Sequence, residues 1–82
     1  MGGVKPTDKR RLAVIANVAK TLRETRERQG LSMSTVAERA GLSQQMVSYV
    51  ERQMRMPTLD TLLRMSEALA IDLSDVVRNA QD

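Results

Sequence analysis

Apolar residues along this chain recur at three- and four-residue spacing and nowhere alternate with polar ones in the two-residue rhythm of a strand. Leu12, Ile15, Val18, Ala19 and Leu22 make one such stripe. It predicts a first helix that starts after Pro6-Thr7, runs to about Gln29 and stops at Gly30 in a left-handed cap. Ser32 then opens a short second helix, Met33 to Ala40, with Val36, Ala37 and Ala40 inward, and Gly41 ends it. A third helix starts at Ser43 and runs to about Gln53, its inner face made by Val47, Val50 and Met54. Pro57 breaks the chain. Thr58 caps a fourth helix whose inward residues are Leu59, Leu62, Leu63, Ser66 and Leu69, with Asp60 near the positive end of its dipole. Asp72 caps a fifth, Leu73 to about Asn79, in which Asp75 holds a capping-box-like place and Val76 and Val77 supply the apolar side. The expected fold is all-α, a compact five-helix bundle.

Composition narrows what such a bundle does. A chain of 82 residues is one domain, burying only about 60% of the surface its unfolded form exposes. Cysteine is absent, so neither disulfides nor cysteine-ligated zinc reinforce the core, and packing alone must hold it. Histidine is absent too, which removes the usual general base and the commonest transition-metal ligand and makes an enzyme an unfavoured reading. No cofactor, metal or small-molecule ligand is expected. No apolar run reaches the roughly 18 residues of a membrane span, and Met1 to Lys5 leads into charged residues rather than a leader core, so the expected location is the cytoplasm.

Charge is sorted along the chain. Residues 1–55 carry eleven Lys/Arg against five Asp/Glu, a balance of +6, whereas residues 56–82 carry two against five, a balance of −3. The basic part is the candidate polyanion face, although mixed charge also serves simple solubility.

Within that basic part, Ser32 to Gln53 holds two short helices joined by Ala40-Gly41-Leu42-Ser43, a connection of the length and glycine content of a helix-turn-helix. Gly41 takes positive φ cheaply, which lets the chain turn sharply between them. Gln44 and Gln45 sit in the first turn of the following helix, off the inner positions Val47 and Val50, and a glutamine amide pairs bidentately with adenine N6 and N7. Two glutamines at a helix start are otherwise good solvated helix formers. Ser48 shares a face with Gln44, and Tyr49 is suited either to stacking on sugar or thymine methyl or to packing on its own domain.

In register, the chain carries Leu22-Arg23, Gly30-Leu31-Ser32, Val36-Ala37, Ala40-Gly41-Leu42-Ser43, Val47-Ser48, Val50-Glu51-Arg52, Pro57-Thr58-Leu59, Leu62-Leu63 and Ala68-Leu69. With these it resembles the Cro and phage-repressor (XRE) family over roughly Val18 to Val77. The resemblance implies a lambda-repressor-like DNA-binding domain whose third helix enters the major groove, with base contacts at Gln44, Gln45, Ser48 and Tyr49. Phosphate contacts are expected from Ser32, Ser43, Arg52 and Arg55, with the amides opening the second and third helices. Some phage repressors pair an Arg and a Glu at the places of Arg26 and Glu51. The resemblance therefore implies that pair here, with Arg26 also able to reach a phosphate. Two positions depart from the family pattern. Met33 stands where many relatives carry a glutamine that clamps the backbone, and Gln53 stands where they often have glycine, so its loop either holds a left-handed residue or takes another path.

The expected division is an N-terminal segment with the extended helix start at 1–17, the binding domain at 18–79 and a tail at 80–82. Small units of this kind read too few base pairs alone, so a homodimer on a near-palindromic double-stranded site is expected. Leu73, Val76 and Val77 are the first interface candidates, and the start of the first helix, with Leu12 and Ile15, the second. The function that follows is a sequence-specific transcriptional regulator. Its alternatives are a restriction-modification controller or antitoxin-like autoregulator of the same fold, or an adapter that holds a protein instead of DNA.

Overall fold

Four of the five helices end the same way, and that shared ending sets the path of the chain. In the computed structural model, which describes residues 6–81, the helices are α1 (Pro6–Arg28), α2 (Met33–Ala40), α3 (Gln44–Glu51), α4 (Leu59–Ala68) and α5 (Leu73–Ala80). Behind α1 to α4, a residue one or two places past the helix takes left-handed φ: Gly30 at 71°, Gly41 at 69°, Gln53 at 59° and Ala70 at 57°. The next residue then donates its N–H to a carbonyl five positions back. Leu31 reaches Arg26, Leu42 reaches Ala37, Met54 reaches Tyr49 and Ile71 reaches Ser66, at 2.9–3.1 Å. This is the Schellman closure, with an apolar residue in the following position each time. Leu31, Leu42 and Ile71 fold back onto the core.

Helix starts are as regular. Ser32, Ser43 and Thr58 each accept the backbone N–H three residues on, and Asp72 accepts that of Ser74. Each such cap is worth about 1 kcal/mol. Ser43 is thus the cap of α3 and not its first residue. Asp75 does not complete a capping box: its carboxylate takes Arg78 Nη1 at 3.3 Å.

One core joins all five helices, from Val18 and Leu22 through Val36, Ala37, Val47, Val50, Met65, Leu69, Leu73 and Val76 to Ala80. α1 lies against α5 and α3, while α2 lies against α3 and α4. The expectation for α4 needs correcting, because Leu59 is 67% and Leu63 42% exposed while Thr61, Met65 and Ser66 are buried. Apolar residues surround most of this helix, so spacing alone did not pick the face. Burying Thr61 and Ser66 is tolerable because the Thr61 hydroxyl accepts from Thr58 and the Ser66 hydroxyl donates to Leu62 O. Met54, expected inside, is 61% exposed, since the helix closes at Glu51 and the left-handed Gln53 swings the chain outward. Leu12 is exposed as well, whereas Val14 packs on the core.

Side chains also close helix ends across the fold. Asn17 Nδ2 donates to Ala80 O at 3.1 Å, Gln29 Nε2 to Leu69 O at 2.8 Å and Arg64 Nη1 to Ala40 O at 3.2 Å. The middle of α1 is therefore tied to the end of α5 through Asn17, and α5 extends one residue past the expected boundary at 79. Of the expected outer segments, residues 1–5 and 82 lie outside the described residues. Among the described residues, no buried side-chain nitrogen or oxygen lacks a partner, and no helix is long and apolar enough to cross a membrane.

Candidate nucleic-acid interface

The turn between α2 and α3 fixes how the third helix is presented. Gly41 is left-handed, and a Cβ added there would stand 3.0 Å from Arg64 Nη1, the atom that caps α2. Leu42 is half-buried beneath the turn and Ser43 caps α3 through the Met46 N–H at 3.0 Å. Val47 and Val50 anchor the helix in the core, which leaves Gln44 and Gln45 exposed on its first turn and Ser48 and Tyr49 half-exposed one turn further. Backbone amides at the start of α2 and α3 have no intrahelical acceptor and add partial positive charge on this side.

The expected base-contacting residues are not equivalent. Gln45 Nε2 donates to the Tyr49 hydroxyl at 2.6 Å, and the Arg55 guanidinium carbon lies 4.5 Å from the centre of the Tyr49 ring. Arg55 thus covers an aromatic face, while Arg52, at the C-terminal cap of α3, is exposed without such a partner among the described residues. Ser32 accepts the Thr35 N–H and donates to the Thr35 hydroxyl, so its proton is already engaged. Met33 packs against the core and offers nothing polar to a backbone.

Arg26 and Glu51 brace the unit from behind. Nε and Nη2 of Arg26 donate to the two carboxylate oxygens of Glu51 at 2.6 and 2.9 Å, and Nη1 donates to Leu31 O at 2.8 Å. The side chains are 12% and 1% exposed. Glu51 ends α3, where the dipole disfavours a negative charge, so the bidentate arginine offsets both that and the desolvation. The same bond raises the Arg26 pKa above its ordinary value, against the lowering effect of burial. With three of its five N–H groups committed inward, Arg26 braces α3. Gln29 and Arg64 support the same frame, and no sequence signal marks them, because each partner is a carbonyl 40 or 24 residues away.

The interface candidates on α5 divide. Leu73 and Val76 belong to the chain's own core, which corrects their assignment to a contact with a second copy, and only Val77 is partly exposed. It opens onto a shallow cleft shared with Leu63.

Two short helices crossing at a left-handed glycine, the second anchored by valines and presenting two glutamines, are a helix-turn-helix. Residues 22–76 match the family model described as helix-turn-helix. The chain belongs to that family, and within it to the Cro and phage-repressor (XRE) type of DNA-binding transcriptional regulator. Among solved structures, it is similar to the restriction-modification controller protein C.AhdI from Aeromonas hydrophila, at 33% identity and a TM-score of 0.70, covering 77% of this chain and 94% of that one. It is also similar to a point mutant of the restriction-modification controller protein C.Esp1396I, with a TM-score of 0.75 over 82% of this chain and 87% of the other. That match is at 18% identity and speaks for the fold alone. No curated protein matches the chain in sequence.

Proposed function

We propose that the chain acts as a homodimer on a near-palindromic operator, with α3 of each copy in the major groove, Gln44 and Gln45 on base edges, and Ser43 and Arg52 on the flanking phosphates. The observation that carries this reading is the rigid presentation of exposed Gln44 and Gln45 on a helix anchored by Val47 and Val50 and braced by Arg26 and Glu51. Such preorganisation of the helix is what base readout needs, since an amide reaches bidentate geometry only from a backbone held in place. Two copies are invoked because one α3 spans too few base pairs for useful discrimination. The apolar surface around Val77 and Leu63 is a face for the second copy. Such a protein works where the DNA is, in the cytoplasm.

A narrower reading has one observation in its favour. The likeness to a restriction-modification controller at 33% identity, over nearly all of that protein, supports a controller of a restriction-modification operon.

Selection of bound duplexes from a random DNA pool tests the proposal, run beside a Gln44→Ala, Gln45→Ala double variant at fixed salt. The expected result is a site whose half-sites lie about one helical turn, ~34–36 Å, apart, with preference lost at a few base pairs in the variant. Enrichment of no sequence, with weak retention even at low salt, would overturn it and point to a protein partner.

A further inference from the structure

The two glutamines of α3 have different surroundings. Gln44 makes no side-chain hydrogen bond among the described residues, whereas Gln45 gives one N–H to the Tyr49 hydroxyl, 2.6 Å away and one turn along the helix. Tyr49 is in turn held by the guanidinium of Arg55 over its ring and by its half-buried place on α3. The amide of Gln45 is thus attached to a ring that has little freedom of its own.

We propose that Tyr49 is a positioning residue that makes Gln45 select adenine over guanine. The inference rests on the DNA reading proposed above and assigns Tyr49 a role other than direct base contact. It follows from counting donors. A glutamine amide has two N–H groups and one carbonyl oxygen. A free amide can turn to offer two donors, which suits the N7 and O6 acceptors of guanine, or one donor and one acceptor, which suits N7 and N6–H of adenine. Once Tyr49 holds one N–H, a single N–H and the carbonyl remain. That set matches adenine and fails against guanine, where the carbonyl would face O6. Gln44 keeps both choices, so the two neighbouring positions should differ in stringency.

The test uses the full chain and the operator obtained by selection. The base pair read by Gln45 is first located as the one whose preference disappears in Gln45→Ala. Competition binding then compares A·T with G·C at that pair for the wild type and for Tyr49→Phe, which keeps the ring beneath Arg55 and removes only the hydroxyl. The expected result is that Tyr49→Phe lowers the A·T preference by at least about threefold at that pair alone. Preferences elsewhere and the melting temperature should stay as they are, and Tyr49→Phe should add nothing in a Gln45→Ala background. An unchanged preference in Tyr49→Phe overturns the proposal. So does an equal loss of affinity on all sequences, or an effect that persists without Gln45, since each would mean that Tyr49 acts through a contact of its own. If the wild type enriches no sequence, the DNA reading itself fails, which is a separate outcome.

Discussion

Arg26 and Glu51 meet through two hydrogen bonds of 2.6 and 2.9 Å, and this pair joins the last turn of α1 to the final residue of α3. Its two charges are 12% and 1% exposed, so neither is satisfied by water if the other is lost. Removing one partner of such a pair costs about 3–5 kcal/mol, a large part of the ~5–15 kcal/mol that a domain has. Glu51→Ala should therefore shift the urea midpoint strongly downward, whereas an Arg26→Met, Glu51→Leu double variant should recover much of the loss. A Glu51→Ala variant within 1 kcal/mol of wild type, by the ~1 ± 0.5 kcal/mol scale of an ordinary hydrogen bond, would show that the pair is not holding the recognition helix.

Two of the four left-handed helix closures are made by residues with a Cβ. Left-handed φ costs an L-residue about 1–2 kcal/mol, and glycine removes that cost while adding chain entropy to the unfolded state. Ala70→Gly, at an exposed position with φ of 57°, should raise the unfolding free energy by about 0.5–1 kcal/mol. For a domain of this size that is a gain of several degrees in melting temperature, at roughly 4–8 °C per kcal/mol. Calorimetry decides it, and a drop in melting temperature would mean that the Ala70 methyl has a packing role.

The opposite change at the helix-turn-helix corner should be harmful. Gly41→Ala forces a Cβ into left-handed φ and to 3.0 Å from the Arg64 atom that caps α2. A loss of about 1–2 kcal/mol is expected, and Arg64→Ala in the same background should relieve the steric part only. Thermal melts of the single and double variants separate the two contributions.

Arg52 and Gln44 should fail in different ways on DNA. Arg52→Ala removes a charge from the rim and should weaken binding to all sequences alike, lowering the slope of log K against log salt by about 1. Gln44→Ala should leave that slope intact and relax preference at a base pair by ~1–3 kcal/mol. Titrations at several salt concentrations with cognate and scrambled duplexes distinguish them. A sequence-selective defect in Arg52→Ala would place that residue on a base.

Association should depend on the partly exposed apolar residues and not on those of the core. Val77→Lys and Leu63→Lys should keep the helical content and melt cooperatively while shifting sedimentation toward the monomer. Val76→Lys places a charge in the core and should unfold the chain. If both surface variants sediment as the wild type does, the second copy binds another face.

Much of this protein follows from local sequence. Ser32, Ser43, Thr58 and Asp72 mark helix starts because a short polar side chain can reach the orphan amides within its own turn, and Gly30 and Gly41 mark ends because they alone take left-handed φ without strain. Those signals act within a few residues, which is why the five helices and the position of Gln44 and Gln45 on α3 were legible. The Arg26 and Glu51 pair was legible only through family resemblance, since nothing in either residue's neighbourhood names the other.

Tertiary structure decided the rest. On α4, apolar residues on nearly every side left the buried face open, and packing against α2 and α5 chose Met65, Thr61 and Ser66 over Leu59 and Leu63. On α5, the same packing took Leu73 and Val76 into the core and left Val77 as the surface. The closure of helix ends by Asn17, Gln29 and Arg64 and the linking of Gln45, Tyr49 and Arg55 depend on distances between side chains that are set only when helices meet. Sequence determines what each turn of chain can do alone; which of its faces is covered, and by what, is a property of the assembled core.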